Sequence, residues 1–323
     1  NFSYEIEYLS PIFSDLKIFL MKLNISHQSL VILKFFLIVI AGVNFSLLFS
    51  VNKWAGTAEV PFVAYVFWYA LGATVTFAII ATIKREEFPT SWLHIRTHAA
   101  SAFLGFAFPF AVFSFVAEKL PSGIAILFVI LTPVFTYIWS LAFRLEKIQL
   151  RSIVGLLLGI SGVLLVVIPS GGLPESHMVG WALLALISPA CFGALNVFVE
   201  KYSPPKLGII SLSLGICTMS SIILLPVMII TGQVWVPFAS SNSDGSWSVI
   251  SAICINTLIW PLFYGTIQIT GAFTWSMMNI IAVIFGFFWG WVFFSESPSS
   301  WVWFASLLML GSFFLILTKK KRT

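Results

Sequence analysis

The chain has 323 residues, 59% of them hydrophobic and only 9% charged, with a mean hydropathy of +1.01 and a net charge of +5. A soluble globular domain is about a quarter charged, so this composition excludes that class and makes the bilayer the solvent for most of the chain. The basic residues sit in loops and at the carboxyl end, so the positive charge reads as a topology signal and not as a nucleic-acid surface.

In lipid every backbone polar group needs an internal partner, which leaves helices or closed barrels. The period-two alternation of barrel strands is absent, so the fold class is an all-α polytopic membrane protein. Residues 1–29 contain no signal-peptide core. Ile12, Phe13, Leu16, Phe19, Leu20 and Leu23 recur at helical spacing there, which fits an amphipathic interfacial helix or a helical start without membrane contact. Apolar runs of spanning length follow near 30–51, 61–83, 98–117, 122–143, 152–168, 178–199, 207–230, 248–270, 272–294 and 301–318. Residues 245–295 carry no charge, and as one helix they would be about 76 Å long against a hydrocarbon core of ~30 Å. Two crossings with a turn near Gly271 are therefore expected, giving ten transmembrane helices.

Charge placement agrees with that count. With ten spans, all of the 17 basic residues except Lys53 and Lys119 fall on one side, together with both termini and the basic tail 319–323. Positive charge marks the cytoplasmic side, so both termini are expected there, in a cell inner (plasma) membrane.

Laying 120–167 over 271–317 brings Glu146 onto Glu296, each in a short turn between two apolar runs. Upstream, Pro109 corresponds to Pro261, and Asn52-Lys53-Trp54 to Glu200-Lys201-Tyr202. The chain thus reads as two five-helix repeats, 30–168 and 178–318. An odd number of spans per repeat inverts the second relative to the first, which is the architecture of alternating-access carriers. Ser122-Gly123 opening a span, Thr132-Pro133 within it and Glu146 before a glycine-bearing span resemble the EamA domain, and Gly271-Ala272, Glu296 and Gly311 echo the pattern. The resemblance implies the ten-helix drug/metabolite transporter superfamily, whose members move amino acids, sugars, nucleotide conjugates and other metabolites. Val283 stands where Pro133 would align, so the two core helices need not bend alike.

Glu146 and Glu296 precede helix starts, where a carboxylate is favoured by the helix dipole, and Ser297-Pro298 looks like a cap followed by a first-turn proline. A capping role is preferred over proton coupling, which calls for a deeper carboxylate. No basic residue lies at the midplane to hold a phosphate or carboxylate, which points to a neutral, zwitterionic or apolar solute. Polar and aromatic residues remain inside the spans. Asn256, Trp260, Tyr264 and Gln268 form one stripe at four-residue spacing, Trp275 and Asn279 another, with Asn44 and Asn196 at mid-span depth elsewhere and Tyr137 adding aromatic surface in the fourth span. As a group they are candidates for lining a substrate cavity; helix-to-helix hydrogen bonding and packing are the alternative for each. Pro109, Pro133 and Pro261 are candidate hinges, and Gly155, Gly159 and Gly286 candidate close-packing positions.

His94 and His98 have i, i+4 spacing, but no third ligand is near in sequence, so an interfacial placement is preferred and no metal is expected. Cys191, Cys217 and Cys254 each stand alone in an apolar run, with no disulfide or zinc pattern. No nucleophile elbow, HExxH, Walker loop or buried carboxylate pair is present, so neither an enzyme nor a cofactor is expected. The leading reading is an exporter of amino acids or related metabolites. An importer or facilitator of the same solutes, or a structural or lipid-handling membrane protein without transport, are the alternatives.

Overall fold

A computed structural model describes residues 27–86, 91–167, 175–202, 208–239, 242–276 and 278–317. The amino-terminal segment and the basic tail lie outside these residues, as do the side chains of Lys34, Lys201 and Gln268. Among the described residues all regular structure is helical. The helices are α1 His27–Thr57, α2 Phe62–Lys84, α3 Trp92–Ala117, α4 Ser122–Ala142 and α5 Leu150–Val167. The second half holds α6 (Val179–Ala185 continued by Ile187–Tyr202), α7 Ile209–Ile230, α8 Ser243–Ser276, α9 Met278–Phe294 and α10 Ser300–Leu317. Helices α1 to α8 contain the 8 stretches long and apolar enough to cross a membrane, and α9 and α10 are apolar but shorter. The chain is a multi-pass membrane protein.

One boundary departs from the sequence reading. Helix α8 runs through Gly271 to Ser276, and α9 is described from Met278. No proline follows Pro261 within α8, and a single glycine costs a helix only about 1 kcal/mol, too little to end it. At 34 residues α8 is about 51 Å long, so it must tilt or extend beyond the hydrocarbon.

Two core helices are irregular, each for a reason written in the sequence. Pro109 has no N–H to return to the carbonyl four residues back, and the preceding turn, Phe103–Ala107, widens into a π-helix with Phe108 N–H bonded to Phe103 O. Pro133 likewise leaves the Val129 carbonyl without its usual donor. Thr132 takes that carbonyl with both its amide and its hydroxyl, the latter at 2.7 Å, and Phe128–Leu131 tightens into a 3-10 turn. Helix α9, with Val283 at the matching position, is unbroken. Pro261 sits inside α8 without interrupting it.

Packing is organised by pairs. Helix α5 lies along α10, where Gly155, Gly159 and Gly162 meet Ile316, Ser312 and Met309; a Cβ at any of the three would come within 3.0 Å of them. Helix α2 packs on α7, α1 on both α8 and α9, α4 on both α6 and α9, and α3 on both α6 and α7. Gly42 of α1 lets Met278 and Ile281 of α9 approach, and Gly193 of α6 does the same for Phe135 and Thr136 of α4. Among the spans α4 is the most enclosed, with 72% of its apolar window buried, whereas α5 at 28% is peripheral. The outward-facing side chains include Ile83, Leu157, Leu164, Ile229, Trp291 and Leu307, an apolar surface suited to lipid.

Candidate functional site

The polar interior is built on α8. Asn256 is fully buried; its Nδ2 donates to the Ala252 carbonyl at 2.9 Å, while Oδ1 has no partner. One turn on, Trp260 is buried with its Nε1–H unpaired. Its ring stacks on Phe106 of the α3 π-turn, 5.3 Å between centroids and 15° between planes. Phe106 in turn lies 5.5 Å from Tyr69 of α2, which is wholly buried and whose hydroxyl is also unpaired. Tyr264 continues the stripe at 6.3 Å from Trp260, and Trp275 closes on Phe263 edge to face at 5.2 Å. Each buried polar atom left without a partner costs about 1–3 kcal/mol. Two of them, on Trp260 and Tyr69, flank a single phenylalanine, and the third, on Asn256, lies one turn from Trp260 along α8.

Other candidates divide between this interior and purely structural duty. Asn279 of α9 is buried, on the helix that packs against α1, and Asn44 of α1 keeps an unpaired Oδ1. Asn196 donates across helices to the Thr136 hydroxyl at 3.1 Å, joining α6 to α4. The Tyr137 hydroxyl accepts from Gln149 N–H at 3.0 Å and donates to the Lys147 carbonyl at 3.3 Å, which ties down the α4–α5 turn. Gly286 of α9 abuts Ile126 of α4. His98 is not interfacial but buried, its ring filling the space at Gly215 of α7, because the polar first turns of α3 are covered by that helix. His94 bonds locally to Ser91 at 2.6 Å. Among the described residues no cluster of metal-binding side chains is found.

A second set of polar contacts lies at the two ends of the bundle, and it was only half legible in the sequence. Glu296 does not cap its own helix. The chain turns left-handed at Ser295 (φ 52°), and the carboxylate reaches α4, where it accepts from Ser122 N–H (2.9 Å), Ser122 Oγ–H (3.2 Å) and Gly123 N–H (3.3 Å). Lys53 of α1 pairs with it at 2.5 Å and lies over the Phe294 ring. The same carboxylate therefore caps a helix start, where the dipole favours negative charge, and neutralises a half-buried ammonium. At the same end Gln233 accepts from Val63 N–H in the first turn of α2 (3.1 Å), and Asn242 donates to the Ala58 carbonyl. At the opposite end Glu86, after α2, accepts from the amide and hydroxyl of Ser211 in the first turn of α7, at 3.2 and 3.1 Å. The clue to Glu86 and Gln233 was their matching place after the second span of each half, next to apolar runs that begin without a capping side chain of their own.

Residues 32–168 match the model of the EamA-like transporter family. No curated protein matches the chain significantly. Among solved structures, a chain described only as "Crystal structure of protein" superposes with a TM-score of 0.56 at 16% identity, covering 86% of this chain and 95% of that one. At that identity the likeness concerns the fold, and it extends across both halves. The resemblance read from the sequence is thus shown for the first half, and the match indicates a membrane transporter of the drug/metabolite type.

Proposed function

We propose that this chain, an EamA-like transporter over its first half, is a ten-span secondary carrier that exports small neutral, zwitterionic or apolar organic metabolites, of which amino acids are one class, by alternating access. Its two inverted five-helix repeats span 30–168 and 178–318, both termini face the cytoplasm, and the membrane is the inner (plasma) membrane. The observation that carries the reading is a reciprocity of contacts. The loop after α2 caps α7, and the loop after α7 caps α2. Helix α1 packs on α9 through Gly42 as α6 packs on α4 through Gly193. The Glu146 and Glu296 amides each return to the carbonyl six residues earlier, at Ser140 and Gly290. Exchanging the halves maps these contacts onto one another, as inverted repeats require. The grouping of loops also supports the topology: Lys53, Ser122, Gln233 and Glu296 meet at one end, Glu86 and Ser211 at the other.

The site of this carrier is the charge-free interior around Asn256, Trp260, Tyr264, Gln268, Trp275, Asn279 and Asn44, with Tyr69 and Phe106 added. Unpaired donor and acceptor atoms there suit a neutral or zwitterionic solute that brings both. Counterflow in proteoliposomes with a panel of labelled amino acids and related metabolites is expected to show saturable flux for a member of the panel. Asn256→Ala, which removes an unpaired oxygen and one intrahelical bond, is expected to lower that flux about tenfold with yield unchanged. No saturable flux for any solute would overturn the carrier reading.

A further inference from the structure

A line of aromatic rings leads from the interior around Trp260 to the end of the bundle that holds Glu296. Tyr69 lies 5.5 Å from Phe106, and Tyr65, one turn nearer that end along α2, stands edge-on to Tyr69 with 5.1 Å between centroids. The Tyr65 hydroxyl donates to Oδ1 of Asn52 on α1 at 3.0 Å. Both residues are 1% exposed, and the Asn52 amide Nδ2 has no partner among the described residues. Asn52 therefore repeats what is seen at Trp260 and Tyr69: a buried polar atom, linked to the same row of rings, with nothing to bond. Were its duty only to tie α1 to α2, Oδ1 would suffice, and the stranded donor would cost about 1–3 kcal/mol without return.

The end above Asn52 is closed from two directions. Lys53, the next residue of α1, lies about 100° further round the helix and pairs with Glu296, whose carboxylate is held at the start of α4. The loop after α7 lies over the start of α2: Gln233 accepts from Val63 N–H at 3.1 Å, and the Trp235 carbonyl accepts from the Trp68 indole at 2.6 Å. These covers are polar bonds between partly exposed groups, for which water can substitute, whereas Asn52 and Tyr65 beneath them are sealed.

We infer that Asn52 is a second binding station for the transported solute, between the interior around Trp260 and the Glu296 end, with Tyr65 as its positioning residue. Tyr65 fixes the amide through Oδ1 and leaves Nδ2 to take a carbonyl or carboxylate oxygen. The inference deepens the carrier reading and rests on it: a solute that leaves the Trp260 and Tyr69 groups meets one further donor before the covers. A hydrogen bond from a neutral amide is weak enough to be given up on the way out, as a charge-assisted bond at that depth would not be.

The first test needs no solute. In sealed vesicles of known orientation, with Cys191, Cys217 and Cys254 replaced by alanine, a single cysteine is placed by Asn52→Cys and exposed to a membrane-impermeant methanethiosulfonate from the Glu296 side, which is outside in the proposed topology. Val63→Cys is the control: it lies in the same turn of α2 as Tyr65, is 3% exposed, and stands two residues away, so it faces elsewhere. Asn52→Cys is expected to label about tenfold faster than Val63→Cys. Equal rates overturn the station. Should Asn52→Cys fail to insert, Tyr65→Cys, across the same hydrogen bond, carries the same expectation and the same failure. The second test separates a station from a structural tie. Asn52→Leu with Tyr65→Phe removes both partners and the stranded donor together, so the melting temperature is expected to hold. Turnover of the panel member that shows saturable counterflow is expected to fall about tenfold. Unchanged turnover in the double variant overturns the station, as does a loss of turnover that merely follows a loss of folded protein. Selective labelling without flux for any solute would sink the carrier reading alone, and flux with unselective labelling would sink the station alone.

Discussion

Helices α4 and α9, which the proposed repeats would superpose, touch each other, yet they are not alike. Helix α4 is broken by the 3-10 turn before Pro133, and α9 runs straight through Val283. Each contributes a glycine to their contact, Gly123 against Phe287 and Gly286 against Ile126. Each is followed by a turn glutamate whose amide returns to the carbonyl six residues back. The frame around the pair is therefore symmetric while the pair itself is not. Under the proposed alternating access, a symmetric scaffold would give two equivalent end states, and a local asymmetry would set which of them is lower in free energy.

The largest expected effect comes from removing the close contact altogether. Gly286→Leu would drive a side chain into Ile126, in the most enclosed helix of the bundle. Overpacking of this kind costs about 1–3 kcal/mol or separates the helices. The melting temperature in detergent is expected to fall by several degrees with a loss of monodisperse yield; an unchanged melt would mean that the two helices are free to part.

A smaller change would make α4 resemble α9. Pro133→Ala restores an N–H for the Val129 carbonyl and allows the 3-10 turn to relax to regular α-helix. Stability is expected to hold or rise slightly, because the substitution removes a helix breaker. Turnover of the transported solute is expected to fall about tenfold while its KM changes by less than about twofold, the pattern of a lost hinge. Full turnover with a straightened α4 would show that the break is packing only.

Much of this frame could be read from the chain itself. Spans, prolines and small-residue seams follow from apolar length and from the missing proline N–H, both local properties, and the helices formed close to where they were expected. The misplacements have separate causes. Whether a carboxylate caps its own helix or another, as Glu296 caps α4, depends on which elements meet in space, and spacing along the chain cannot report that. Tyr69 was overlooked because a tyrosine in an apolar run looks like filler; only its unpaired hydroxyl beside Phe106 and Trp260 distinguishes it. Gly271 was overvalued because glycine permits a turn without compelling one, and α8 continued past it.

Tyr137 gives the finest comparison, since the matching residue of α9 is Phe287. Its hydroxyl bonds to the backbone of the α4–α5 turn, at Lys147 and Gln149, and both of those residues are exposed. In Tyr137→Phe the freed amide and carbonyl can turn to water, so the loss is a net hydrogen-bond contribution of about 0.5–1.5 kcal/mol and not the larger penalty of a stranded buried group. A small drop in melting temperature is expected with KM unchanged, as α9 already tolerates phenylalanine at this position beside its own glutamate turn. A rise in KM at unchanged stability would return the hydroxyl to the solute's path, and would mean that the turn bonds seen here are exchanged for contacts with the solute during transport.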